Sequence, residues 1–129
     1  AQIMDQQQPG TACYLVSEAN GTRSRDVVTL AQGHNCQPGT VLSKVTATGK
    51  YVPVDPTNGT GEGETPDGSH IAVAVLFAAV DATAGDKPAV ITARDAEVEA
   101  AALIWPAAIT PTQKTAALGQ LAAVGIVAR

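Results

Sequence analysis

The 129 residues carry a formal net charge of −4 and only four aromatics, Tyr14, Tyr51, Phe77 and Trp105, so a core has to be assembled from Val, Ile, Leu and Ala, each burying less area than a ring would. The eight Lys and Arg are scattered along the chain and form no stripe of the kind that neutralises phosphates, which argues against a nucleic-acid partner. The longest strongly apolar run, Ile71 to Val80, is about half of what a helix needs to cross a bilayer, so no membrane span is expected.

A single domain fits the length and should bury roughly 65 to 70% of its unfolded surface. The scarcity of large side chains makes burial between subunits a reasonable way to complete such a core.

Residues 1 to 23, AQIMDQQQPGTACYLVSEANGTR, combine polar tracts with one short apolar patch, Cys13 to Val16, and sustain no period. That predicts a loosely attached arm, which is either a floppy terminus or a segment whose apolar patch gains order by pairing with something such as an edge strand on a partner. No basic, apolar and small-residue series opens the chain as a secretory leader would. The two cysteines, Cys13 and Cys36, leave open one disulfide or two free thiols, and by themselves make no metal cluster.

From Arg25 the texture changes. RDVVTLAQG is β-branched and short, HNCQPG is turn chemistry, and TVLSKVTATGKYVPVD predicts two strands, Val41 to Val45 and Tyr51 to Val54, joined through Thr46 to Gly49. Pro53 removes one ladder donor, which puts its strand at an edge or makes it irregular. PTNGTGEGETPDGS, residues 56 to 69, reads as an acidic loop. Asp55, Asn58, Glu62 and Asp67 could serve as oxygen donors to calcium, but their spacing lacks the alternation of a helix-loop-helix site.

HIAVAVLFAAVDAT places Ile71, Val73, Val75 and Phe77 on one face and Ala72, Ala74, Leu76 and Ala78 on the other. A strand apolar on both faces is covered on both sides; Ala72 and Ala74 would leave room for another layer or another subunit, and a bulge is expected near Phe77. PAVITARD reads as a further strand. AEVEAAALIWP suits either a helix lined by Val98, Ala101, Ala102 and Trp105 or a strand, and Pro106 stops a helix there. Thr110, Pro111 and Gln113 form the signature of a helix start; the helix should run towards Gly125 with Ala117, Leu118, Leu121 and Val124 buried, and IVAR closes the chain as a short strand.

No spacing makes an active site. His34 and Cys36 could approach each other in a loop, but no third group to orient the imidazole stands out. Asp67, Ser69 and His70 are neighbours in sequence, which is not the geometry of a triad. Glu62 with Glu64, and Glu97 with Glu99, lack the fixed separation and unequal environments that paired-carboxylate catalysis needs. GTGEG has no lysine and no following helix to make a phosphate cradle. The two NGT triplets, at Asn20 and Asn58, match the glycosylation pattern and serve equally well as turns. Trp105 and Pro106 read as a packing anchor that could also lie in an interface. Neither a catalytic group nor a cofactor site is expected, and no small-molecule substrate.

From Ser24 to Arg129 the chain resembles the head decoration proteins of tailed bacteriophages, the lambda gpD-like family. The likeness is carried by SRDVVTLAQG with QPGTVLSKVTATGKYVPVDP, the small-residue strand after the loop, VDATAGD, LIWP, and a terminal helix with a lysine leading through LAAVGIVAR. The resemblance implies a mixed α+β domain, mainly β with a smaller α part, built on bent β-ribbons with a C-terminal helix, spanning residues 24 to 129 behind an arm of residues 1 to 23.

It further implies a non-enzymatic homotrimer, made in the host cytoplasm, that sits on the outer surface of the expanded capsid in the virion and cements neighbouring major capsid proteins. In that family the arm gains order on the capsid; here Cys13, Tyr14, Leu15 and Val16, or Val27 and Val28, would supply the contacting piece, and Ala72, Ala74, Trp105 and Pro106 the trimer or packing contacts. The chain departs from the shortest members in its longer ribbon region, its acidic loop and its two cysteines. The rival readings are an extracellular carbohydrate-binding or adhesion module and a small Cys/His hydrolase.

Overall fold

A computed structural model describes residues 11–19, 23–59, 63, 65–107 and 109–129. In chain order its elements are strands β1 (Leu15–Glu18), β2 (Arg25–Leu30), β3 (Asn35–Cys36), β4 (Val41–Lys44), β5 (Tyr51–Pro53), β6 (Ala74–Leu76), β7 (Val80–Asp81), β8 (Lys87–Thr92) and β9 (Ala96–Val98), a 3-10 turn (Ala100–Ala102), helix α1 (Pro111–Ala123) and strand β10 (Ile126–Ala128). This is the mixed, mainly β domain with one longer C-terminal helix that the sequence predicts.

Five strands close a small barrel in the order β2-β5-β4-β6-β8. The expected hairpin forms: β4 and β5 pair antiparallel with Leu42 opposite Pro53 and Lys44 opposite Tyr51. Gly49, at φ 72, supplies the turn conformation that side chains with a Cβ avoid. Pro53 is tolerated for a geometric reason. Val45 donates to Lys50 and Val54 donates to Val41, so along β5 the even-numbered residues bond β4 and the missing Pro53 donor points the other way.

Two cores share the strands between them. Leu30, Cys36, Leu42, Ala74, Leu76, Ala82, Ala89 and Ile91 fill the barrel. Val41, Val54 and Val75 project from its outside into a second core with Tyr14, Ala72, Val98, Leu103, Ala117, Leu121 and Ile126. That sharing is why β4 and β6 are apolar on both faces. β6 is shorter than its alternation suggests, because the backbone leaves the ladder at Phe77, whose carbonyl accepts from Ala12 while its own N–H reaches Val90.

The second core is roofed by β1-β9-β10 and α1. AEVE is a strand after all: β9 pairs antiparallel with β1 and parallel with β10. Parallel neighbours need a crossover, which α1 provides. Its start is the predicted one, with Thr110 and Gln113 capping each other reciprocally and Pro111 in the first turn, an arrangement worth about 0.5 to 2 kcal/mol. Ala117 and Leu121 are buried as expected, Leu118 is half-buried, and Val124 is exposed, because the helix ends there and Gly125 turns the chain away into β10.

Candidate functional site

Three surface features carry the residues singled out in the sequence. The first is the LIWP junction. Leu103 is buried, while Ile104 forms a parallel bridge to Thr40. Its N–H donates to the Gly39 carbonyl at 2.8 Å and its own carbonyl accepts from Val41 at 3.2 Å. Gly39, at φ 95, lies so close that an added Cβ would stand 2.9 Å from the Ala102 carbonyl oxygen. The backbone of this junction is therefore clamped to the barrel. Trp105, half-buried, divides two grooves: one of 430 Å³ lined by His34, Cys36, Pro53 and Asp55, the other of 330 Å³ lined by Ala100, Lys114 and Leu118.

The chemistry available there is modest. Cys36 is buried and its thiol is pushed up by loss of solvation, which holds it protonated and makes it a poor nucleophile. Cys13 is exposed and unbonded to Cys36; its thiol lies 3.9 Å from the Pro38 carbonyl oxygen. In the acidic loop, Ser69 donates to Asp67 through both its N–H and its hydroxyl, which with the hydroxyl bond leading holds the Asp67 carboxyl low. His70 does not bridge them. Its Nδ1 is buried without a partner among the described residues.

Asp55 accepts from Thr57 and Asn58 accepts from the Asp67 N–H, so these oxygens close turns; no cluster of three metal-ligating side chains occurs among the described residues. Glu62, Glu64 and Asn20 lie outside the described residues. Glu97 is tied to Ser17 at 2.6 Å and to Arg129 at 2.5 Å, which lower its carboxyl in that order.

The second feature is the chain before β2. Residues 1–10, the part of the expected arm most polar in composition, lie outside the described residues. Of the residues after them, Tyr14 is buried and Leu15–Glu18 pair with β9, so this part of the expected arm lies against the body. Tyr14 is fully buried, its hydroxyl 2.5 Å from that of Thr92, and burial first, with the Thr92 bond opposing, leaves its hydroxyl pushed up to about 12. Leu15 is half-buried opposite Val98, and Val16 points to solvent with 56% exposure. The physical reason is that β9 takes a second neighbour in β1 and that Tyr14 is the fully buried ring of the second core, with Trp105 packed half-buried at its margin. Ala72 and Ala74 are also fully buried, so neither offers a surface to another subunit; the Ala72 N–H is taken by Gln120 Oε1.

The third feature was not foreseen as a unit. On the outside of the barrel, Phe77 just past β6, Val90 on β8 and Val27 on β2 stand side by side and line one hollow with Arg25 and Asp26. The Arg25 guanidinium lies 4.1 Å above the Phe77 ring and is bound by the Glu18 carboxylate, whose pKa it depresses. Asp26 is paired with Arg94. Val27 is 73% exposed and Val28 is packed against the barrel core. The signal was present in RDVVTL, whose alternation puts Val27 and Val28 on opposite faces; that Phe77 and Val90 would join Val27 required the strand order.

In comparison with known proteins, a family model described as Bacteriophage lambda head decoration protein D matches residues 4–126. No curated protein matches the chain.

Proposed function

Because the chain belongs to the family of the bacteriophage lambda head decoration protein D, we propose that it binds the outer surface of an expanded phage capsid as a homotrimer and stabilises it by cementing neighbouring major capsid proteins. The observation that carries the proposal is the family match across nearly the whole chain. The surface is consistent with it: apolar side chains at Trp105, Ile104, Val16 and Val27 stand on a body held rigid by two cores. A protein of this kind works through area, and contacts made three at a time gain from high effective concentration.

The test is direct. Purified protein is mixed with emptied, expanded shells of the phage that encodes it, and bound protein is measured against free concentration, with mass in solution determined by sedimentation. Saturable binding in multiples of three per local threefold position, and a raised temperature of shell disruption, are expected. Absence of binding to expanded shells would overturn the assignment.

A further inference from the structure

The acidic loop is closed at its neck by a small set of bonds. The Asp55 N–H donates to the Ser69 carbonyl at 2.7 Å, the Asn58 N–H to the Asp55 carbonyl at 3.0 Å, and the Thr46 N–H of the β4–β5 hairpin to the Asp67 carbonyl at 2.8 Å. Asn58 spans the neck with its side chain, Oδ1 accepting from the Asp67 N–H at 3.0 Å. Both partners of that bond stand immediately before a glycine, Gly59 and Gly68. A following glycine lets its backbone nitrogen approach the side-chain carbonyl carbon of an Asn or Asp, because no Cβ stands in the way.

The fold treats the two pairs differently. The Asp67 carboxyl is held low by the Ser69 hydroxyl at 2.6 Å and then by the Ser69 N–H at 2.9 Å, and a carboxylate is a poor electrophile. Gly68 is packed so closely that an added Cβ would stand 2.5 Å from the Lys44 carbonyl oxygen, so this pair has no freedom to turn. Asn58 carries a neutral amide, is half-buried and is reached by water. Gly59, at φ 73, gives its N–H to no described residue. The Asp67 N–H is aimed at the Asn58 oxygen, where negative charge develops when the amide carbon is attacked. Asn35, by contrast, lies in β3 and is followed by the side chain of Cys36.

We infer that Asn58 is a modification site: in the folded protein its amide converts without an enzyme to aspartate and isoaspartate, and the conversion opens the neck of the loop. The Gly59 nitrogen, having given its proton to solvent base, bonds to the Asn58 side-chain carbon. The bond from that carbon to the amide nitrogen breaks, and ammonia leaves with a proton from water. Water then adds to either carbonyl of the cyclic imide, giving aspartate or isoaspartate with no change of oxidation state.

Isoaspartate puts an extra methylene into the main chain between residues 58 and 59 and moves the carboxylate onto the Cα. Gly59 has no room to absorb that shift, since even an added Cβ would stand 2.5 Å from Pro66; the bond to the Asp67 N–H is lost instead. Aspartate keeps an oxygen in place but adds a negative charge to a neck that already holds Asp55 and Asp67. The inference is independent of the decoration reading.

The experiment keeps the full chain, folded in one sample and unfolded by denaturant in another, in the same mildly alkaline buffer, with peptide mapping and isoaspartate detection over time. Asn58 is expected to convert in the folded protein at a rate within about tenfold of that in the unfolded chain, while Asn35 and Asp67 stay unchanged in the folded sample. Conversion should speed up as pH rises, because attack starts from a deprotonated Gly59 nitrogen, and Asn58→Gln, which would have to close a larger ring, should abolish it.

In the isoaspartyl protein, amide exchange at Asp67 should rise by about tenfold or more, with the β4 amides unchanged. If Asn58 remains an amide in the folded protein while the unfolded chain converts, the fold protects the site and the inference is wrong. If Asn58 converts and Asp67 exchange does not change, the neck does not depend on this side chain and the inference falls as well.

Discussion

The outer face of the barrel has two halves with opposite fates. On one half Val75 and Thr92 are fully buried beneath Tyr14 and the roof of β1, β9, β10 and α1. On the other, Phe77, Val90 and Val27, each two residues along the chain from Val75, Thr92 and Arg25, carry no described roof. The residue types hardly differ, so apolar character alone does not say what a strand face is for. What distinguishes the halves is whether the chain returns to cover them.

The largest expected effect falls on the covered half. Tyr14→Ala removes the fully buried ring of the second core and leaves the Thr92 hydroxyl buried without its Tyr14 partner, and should cost about 3 to 5 kcal/mol of unfolding free energy, read by chemical denaturation. If the cost were below about 1 kcal/mol, the segment before β2 would be an appendage and the two halves equivalent. Next comes alkaline pH. A tyrosine ionises near 10 in the unfolded chain, whereas Tyr14 resists until about 12 in the folded one.

Its contribution is thus fully present below pH 10 and is lost as pH rises towards 12, by about 3 kcal/mol. Melting curves at pH 9 and 11.5 should differ accordingly, and Tyr14→Phe should remove most of the difference. The smallest effect belongs to the bare half, where Val27→Thr should change stability by about 0.5 kcal/mol or less. A larger loss would mean that something in the chain already covers that face.

Much of the fold was legible along the chain because it depends on near neighbours. The β4–β5 hairpin follows from alternation and Gly49, and the start of α1 from Thr110, Pro111 and Gln113, whose groups lie within one turn of each other. The strand nature of AEVE was not decidable, since Glu97 and Glu99 suit an exposed strand face or a helix, and the outcome depended on pairing with Leu15–Glu18 and Ile126–Ala128. Of the site, Trp105 was visible as a junction residue, and Val27 as one face of a short strand. The grooves beside Trp105 and the row ending at Val27 were not visible, because each is assembled from segments far apart in the chain.

The sequence by itself determined that the protein is mainly β, that β4 and β6 lie between two apolar layers, where its one long helix begins, and which family it resembles. Each of these is set by local periodicity, turn chemistry or ordered motifs. Only the tertiary structure decided that Tyr14 belongs to the core, that Ala72 and Ala74 are fully buried, and that Phe77, Val90 and Val27 line one hollow. Those outcomes turn on which strands become neighbours and in which hydrogen-bond phase, and a phase is a relation between two strands that neither carries alone.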